Sequence, residues 1–155
     1  MPADLARETE FRTDSALDET DGPGDLLRLI SLDRVPNAWR PRPDRERVES
    51  TSAVEAANVE SILDEAPVPE IVLIGSSFSV NANFHGALQQ SARAAVANMA
   101  RAGGGFAGAA VAYFASPAWR ETPPRVVLWE VPERVLGQPL HADDRALRAW
   151  LDAPP

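Results

Sequence analysis

The sequence has no cysteine and no lysine. Without thiols there is no disulfide, no zinc–thiolate site and no cysteine nucleophile, an absence compatible with either cytoplasm or periplasm. Every basic residue is arginine, which reads as genome composition and carries no function. Positive charge is also scarce. Against 23 acidic residues stand 15 basic ones, giving a net charge of −8 and a pI near 4.7. A nucleic-acid partner is excluded on that ground, because the phosphate backbone demands a basic patch. No apolar run approaches the length of a membrane-spanning helix. The opening residues, MPADLARETEFRTDS, are polar and acidic and show no signal-peptide pattern. Internal repeats and low-complexity segments are missing as well.

What is present is an ordinary globular composition, 45% hydrophobic and 25% charged over 155 residues. A chain of that size can bury about two-thirds of its unfolded surface. Its centre is the stretch from Glu70 to Asn83. Ile71 to Ile74 form a short, continuous, β-branched-rich apolar run, the pattern of a buried parallel strand. Gly75 ends the run, and Ser76, Ser77, Phe78 and Ser79 follow. A strand that passes through small hydroxyl residues into a helix sets them at the carboxyl edge of a sheet, where α/β proteins do their chemistry. Ser77 is the candidate nucleophile, held in a tight turn with backbone N–H groups nearby. The alternative is that the serines only cap the next helix. GSSFS departs from Gly-x-Ser-x-Gly at Ser79, which disfavours an α/β-hydrolase elbow.

Along the chain, residues 1–23 read as a disordered or loosely packed acidic lead ending in a Gly/Pro turn. Residues 24–155 form the domain. Leu26, Leu27, Leu29 and Ile30 make a short apolar helix face, and Val59, Ile62 and Leu63 suit a second short helix ending before Pro67. After the first strand, helical spacing predicts a helix near 84–93. A strand near 94–99 follows, then the RAGGG loop, a packed helix over 106–116, and a polar turn at SPAWRETPP. RVVLWEV at 125–131 is the third strand, and 145–151 a terminal helix. Strand–helix–strand–helix–strand with short links implies parallel pairing through right-handed crossovers.

Four blocks carry a resemblance: GSSFS at 75–79, NFHGAL at 83–88, NMARAGGG at 98–105, and WEVPER at 129–134. With GDLLRLISLD at 24–33, their order and spacing resemble the alginate O-acetyltransferase AlgX/AlgJ family. The resemblance implies an SGNH-hydrolase-like three-layer α/β fold with a parallel sheet. It also implies a serine acyltransfer site in which Ser77 takes an acetyl group and passes it to a polysaccharide hydroxyl. An acetyl donor, a polysaccharide acceptor and proteins of an acetylation complex are the implied partners, with no cofactor and no metal. The periplasm is the implied compartment; a genuine start at Met1 would instead keep the chain in the cytoplasm.

The family's Asp-x-His-Trp motif, which supplies base and orienting acid, is absent. Met1 falls just past the point where it would lie, so an N-terminally truncated member is expected, its sheet incomplete on the N-terminal side. A serine hydroxyl is a poor nucleophile until an oriented base removes its proton. Loss of such partners costs about a million-fold in a well-studied serine protease. His85 lies eight residues after Ser77, two turns up the same expected helix and about 12 Å along its axis, too far for a hydrogen bond. His141, in PLHADD, is the weak base candidate, although its aspartates follow it instead of preceding it. Asn98, Gly103 and Gly104 either supply oxyanion donors or merely build a tight turn. Trp129 reads as packing. Glu130 and Glu133 beside Arg134 form either a paired-carboxylate site or an ion-paired strand end.

Two functions therefore stand from the sequence. One is a serine O-acetyltransferase domain acting on an alginate-type polysaccharide. The other is a non-catalytic remnant that folds, or binds a partner or polysaccharide, without turnover. A self-sufficient esterase using His141 is a third.

Overall fold

The structure, a computed structural model, describes residues 5, 9–22, 27–28, 30–54, 68–81 and 83–152. The chain divides into two compact units, one of Met1–Thr13 with Thr51–Pro155 and one of Asp14–Ser50. The helix expected around Val59, Ile62 and Leu63 lies outside the described residues, as do Leu26 and Leu29 of the earlier one.

Two paired strands, β1 (Phe11–Asp21) and β2 (Arg45–Ala53), have most of their residues in the smaller unit. Gly22 N–H bonds Asp44 O at one end of the ribbon and Val54 N–H bonds Glu10 O at the other, so the strands run antiparallel. Within the lead expected to be disordered or loosely packed, residues 11–21 are thus an ordered strand. Nearly every residue of both strands is exposed, so no apolar alternation marks them. The ladder and cross-strand polar contacts hold them, among them Arg45 Nη2 to Glu19 O at 2.6 Å and Ser15 Oγ to Glu49 at 3.4 Å.

The larger unit is a parallel three-stranded sheet with helices on both faces. Its order is β4 (Val96–Asn98), β3 (Ile71–Ile74), β5 (Val126–Trp129). Ile71 pairs with Val96 on one side and Val126 on the other. Residues of β3 alternate between the faces, as the period of two requires. Val72 and Ile74 pack with Ala107, Ala109, Ala110, Tyr113 and Leu147, which belong to or adjoin α3 (Gly108–Phe114) and α5 (Ala142–Leu151). Ile71 and Leu73 pack the other way, on Ala92, Ala94 and Val96, at the end of α2 (Phe84–Ala92). Small residues on α3 let that helix approach the sheet closely, and Trp119 of α4 (Pro117–Glu121) closes over Tyr113 and Phe114.

The expected strands, their parallel sense and the helices near 84–93 and within 106–116 are all present. Two elements differ. The polar turn at SPAWRETPP contains α4, capped by Ser116 Oγ accepting from Trp119 N–H at 3.3 Å, with Pro117 at the first helical position. Proline is tolerated there because that N–H has no intrahelical partner. The single helix taken to carry both Ser77 and His85 is two helices, α1 (Ser77–Asn81) and α2. Asn83 stands between them in the left-handed region at φ 49° and interrupts the helical path.

β3 is the switch point of this sheet. The chain moves from β3 to β4 on one side, then crosses back over β3 to β5 on the other. Two crossovers of the same hand then lie on opposite faces, which opens a crevice at the carboxyl end of β3.

Burial pushes the Tyr113 phenol above its ordinary value of 10. Above pH 10 the unfolded chain releases this proton while the folded one keeps it, so stability is whole below pH 10 and falls as the pH rises past it. We expect Tyr113→Phe to flatten the alkaline limb of a Tm-against-pH profile. An unchanged limb would assign it to other groups.

Candidate active site

The crevice is built by strand ends. β3's last carbonyls are bonded beyond the regular ladder: Leu73 O by Met99 N–H at 2.8 Å, Ile74 O by Glu130 N–H at 2.9 Å and Gly75 O by Arg101 N–H at 3.0 Å. The turn at 75–76 is thereby gripped from both neighbouring strands.

Glu130, the residue after β5, holds the turn from beneath. Its carboxylate accepts the Ser76 N–H at 2.7 Å, the Ser76 hydroxyl at 2.8 Å and the Ser79 hydroxyl at 3.1 Å. Ser76 and Ser79 are both buried, and three donors satisfy a carboxylate well. Gly75 is required by this arrangement. A Cβ there would lie 2.7 Å from both Glu130 Oε2 and Ser79 Oγ.

Ser77 is treated differently from its neighbours. It is the first residue of α1 and half-buried. Among the described residues, no side chain bonds its hydroxyl. Glu130 takes the serines on either side and leaves Ser77 out of its grip.

Asn98 ends β4 and is exposed; its amide donates to Ser79 O at 2.9 Å and its oxygen accepts from Ala100 N–H at 3.1 Å. It ties β4 to α1. Gly103 and Gly105 have φ of 75° and 59°, and no atom lies within 4 Å of where their Cβ would be. Gly103 and Gly104 line a cleft of about 420 Å³ with Phe106, Gln138, His141 and Asp143. Here the structure brings the glycine run and His141 together. His141 caps α5, its N–H bonding Asp144 Oδ2 at 2.7 Å. It makes no bond to Ser77.

His85 sits on α2, beyond the break at Asn83, so the single-helix estimate of its distance does not apply. Its Nε2 lies 2.6 Å from Val96 O, half-buried. Trp129 packs as expected, its ring 4.9 Å from that of Phe106 and its N–H bonding Phe106 O. Neither reading of Glu130 holds: its partners are serines, not Glu133 or Arg134. Arg134 instead lies over the Phe78 ring, 5.1 Å from its centre. Sequence reading missed the Glu130 latch, although the carboxylate's place at the end of a strand neighbouring GSSFS was the available signal. Among the described residues no three acidic or histidine side chains gather as a metal site would need.

A family model for the SGNH hydrolase-like domain of acetyltransferase AlgX matches residues 2–133. The chain belongs to that family. The probable alginate O-acetylase AlgJ of Pseudomonas syringae pv. tomato is 37% identical over 145 residues, 91% of this chain and 36% of that protein. The alginate biosynthesis protein AlgX of the same organism is 40% identical over 70 residues, 44% of this chain and 15% of that one. The O-acetyltransferase domain of Pseudomonas putida AlgJ superposes with a TM-score of 0.71 at 31% identity, covering 89% of this chain and 45% of that domain's chain. The SGNH-like fold expected from the four blocks is therefore the family's own. The chain spans about a third of the length of the AlgJ relative it matches.

Removing the latch should loosen the turn. We expect Glu130→Ala to leave two buried hydroxyls and an N–H unpaired and to cost at least about 2 kcal/mol. Gly75→Ala should cost about 1–3 kcal/mol through overpacking. Denaturant titration checks both; a midpoint unmoved in Glu130→Ala would show the contact to be incidental.

Proposed function

We propose that this chain is the serine-bearing part of a polysaccharide O-acetyltransferase of the alginate kind, with Ser77 as nucleophile. The observation that supports it is the contrast among three serines in one turn: Ser76 and Ser79 are tied to Glu130, and Ser77, at the switch point, is not. The family's activity on alginate adds to that reading. The acetyl donor, a polysaccharide acceptor and proteins of an acetylation complex are the proposed partners, and the periplasm the proposed compartment. Among the described residues no helix is long and apolar enough to cross a membrane.

The transfer proceeds in two steps. Ser77 Oγ attacks the acetyl carbonyl, its proton passing to a base that delivers it to the donor's leaving group as that group departs with the electron pair of its bond to the carbonyl. A sugar hydroxyl then attacks the acetyl-serine, its proton passing to the same base and from there to the departing Ser77 Oγ, which regenerates the free serine. The proposed oxyanion donors are the Ser77 N–H and the second amide proton of Asn98, whose other one goes to Ser79 O. The base is the missing part. No imidazole bonds Ser77, and ordinary carboxylates are too weak to activate a serine near neutral pH. Cleft residue His141 is the weak candidate within the chain.

With p-nitrophenyl acetate we expect negligible turnover but slow, stoichiometric acetylation at Ser77 in preference to Ser76 and Ser79, mapped by peptide mass spectrometry and lost in Ser77→Ala. Equal labelling of the three serines, or none, would sink the nucleophile and favour a non-catalytic domain. Brisk turnover abolished by both Ser77→Ala and His141→Ala would make the chain a complete esterase.

A further inference from the structure

The geometry points to Arg134 as the residue that reads a carboxylate on the acceptor sugar, a specificity-determining role at the site proposed above and resting on that proposal. Arg134 lies in the 3-10 turn Glu133–Val135, just past the end of β5. Its guanidinium is carried over the ring of Phe78, the residue next to Ser77. Phe78 follows Ser77 in α1, so the platform is carried by the same turn as the proposed nucleophile.

Three further observations give it that task. Arg134 is exposed, and among the described residues no carboxylate or carbonyl engages its guanidinium. Arg101, which also flanks the turn, differs in donating to Gly108 O. Phe78 is 53% exposed, so the pair is a surface platform and not a core contact. A guanidinium stacked on an aromatic face keeps its edge free, and that edge matches a carboxylate with two parallel N–H donors.

Charge decides where an anionic sugar can sit. The chain carries a net charge of −8, and the adjoining cleft presents Asp143 and Asp144. A uronate carboxylate is repelled there. Placed on Arg134, it is anchored outside that cleft and on the turn that carries Ser77. Arg134 thus distinguishes a uronate polymer from a neutral one and fixes the direction of the acceptor.

The test is calorimetric titration of the full chain with a uronate tetrasaccharide and with its carboxyl-reduced, neutral counterpart. We expect the uronate to bind at least about tenfold more tightly than the neutral form, an advantage that shrinks as salt is added. Arg134→Gln should weaken uronate binding about ten- to a hundredfold with little effect on the neutral oligomer. Arg134→Lys should fall between, because it keeps the charge and loses the fork. Tm should not change in either variant. Equal uronate binding by wild type and Arg134→Gln, equal binding of both oligomers by wild type, or no uronate binding would each overturn the assignment. Acetyl labelling of Ser77, run on the same samples, reports separately on the nucleophile: its absence would sink the acetyltransferase reading, and its persistence in Arg134→Gln would leave that reading intact.

Discussion

The carboxylate of Glu130 is the constraint on which the serine turn depends. It gathers one N–H and two hydroxyls from Ser76 and Ser79, and its presence restricts residue 75 to glycine. Its own backbone is fixed by the Ile74 carbonyl, so the latch reports the register of β5 against β3 directly. A side chain that satisfies three donors in one place defines the turn's shape more sharply than apolar packing would, because each bond has a direction. The effect on Ser77 is indirect. With its neighbours committed, Ser77 is set at the start of a helix with its hydroxyl uncommitted.

The parts of the fold that were legible in the sequence are those where one physical signal dominates. Ile71–Ile74 and Val126–Trp129 are continuous apolar runs because both faces of a parallel sheet are covered, and they read correctly. The β1–β2 ribbon was illegible because its residues face water on nearly every side, leaving no alternation to detect. The α1–α2 break turns on Asn83 adopting a left-handed backbone, which asparagine tolerates and does not announce. In α4 the signals, Ser116 before Pro117, were in view but were outweighed by the polar and proline-rich residues that follow.

The site divides along the same line. The place of Ser77 at the head of α1 was legible because a strand, a glycine and a hydroxyl residue are adjacent in sequence. Glu130 and Arg134 were visible as charged residues but not as partners of the serine turn. Ser76 and Glu130 are separated by 54 positions, and Phe78 and Arg134 by 56, and only the sheet order β4–β3–β5 brings them together. Local pattern carries local structure, whereas a latch between neighbouring strands requires knowing which strands are neighbours.

That same separation has a consequence during synthesis. As the chain emerges from its N-terminal end, β3 and β4 can pair long before residue 130 has been translated. Throughout that interval the Gly75–Ser79 turn has no carboxylate beneath it, and its buried hydroxyls and N–H must be served by water. Contacts of such long sequence range form late and slowly. The most chemically specialised turn of the domain is therefore among the last to take its final shape, and it does so only when β5 docks.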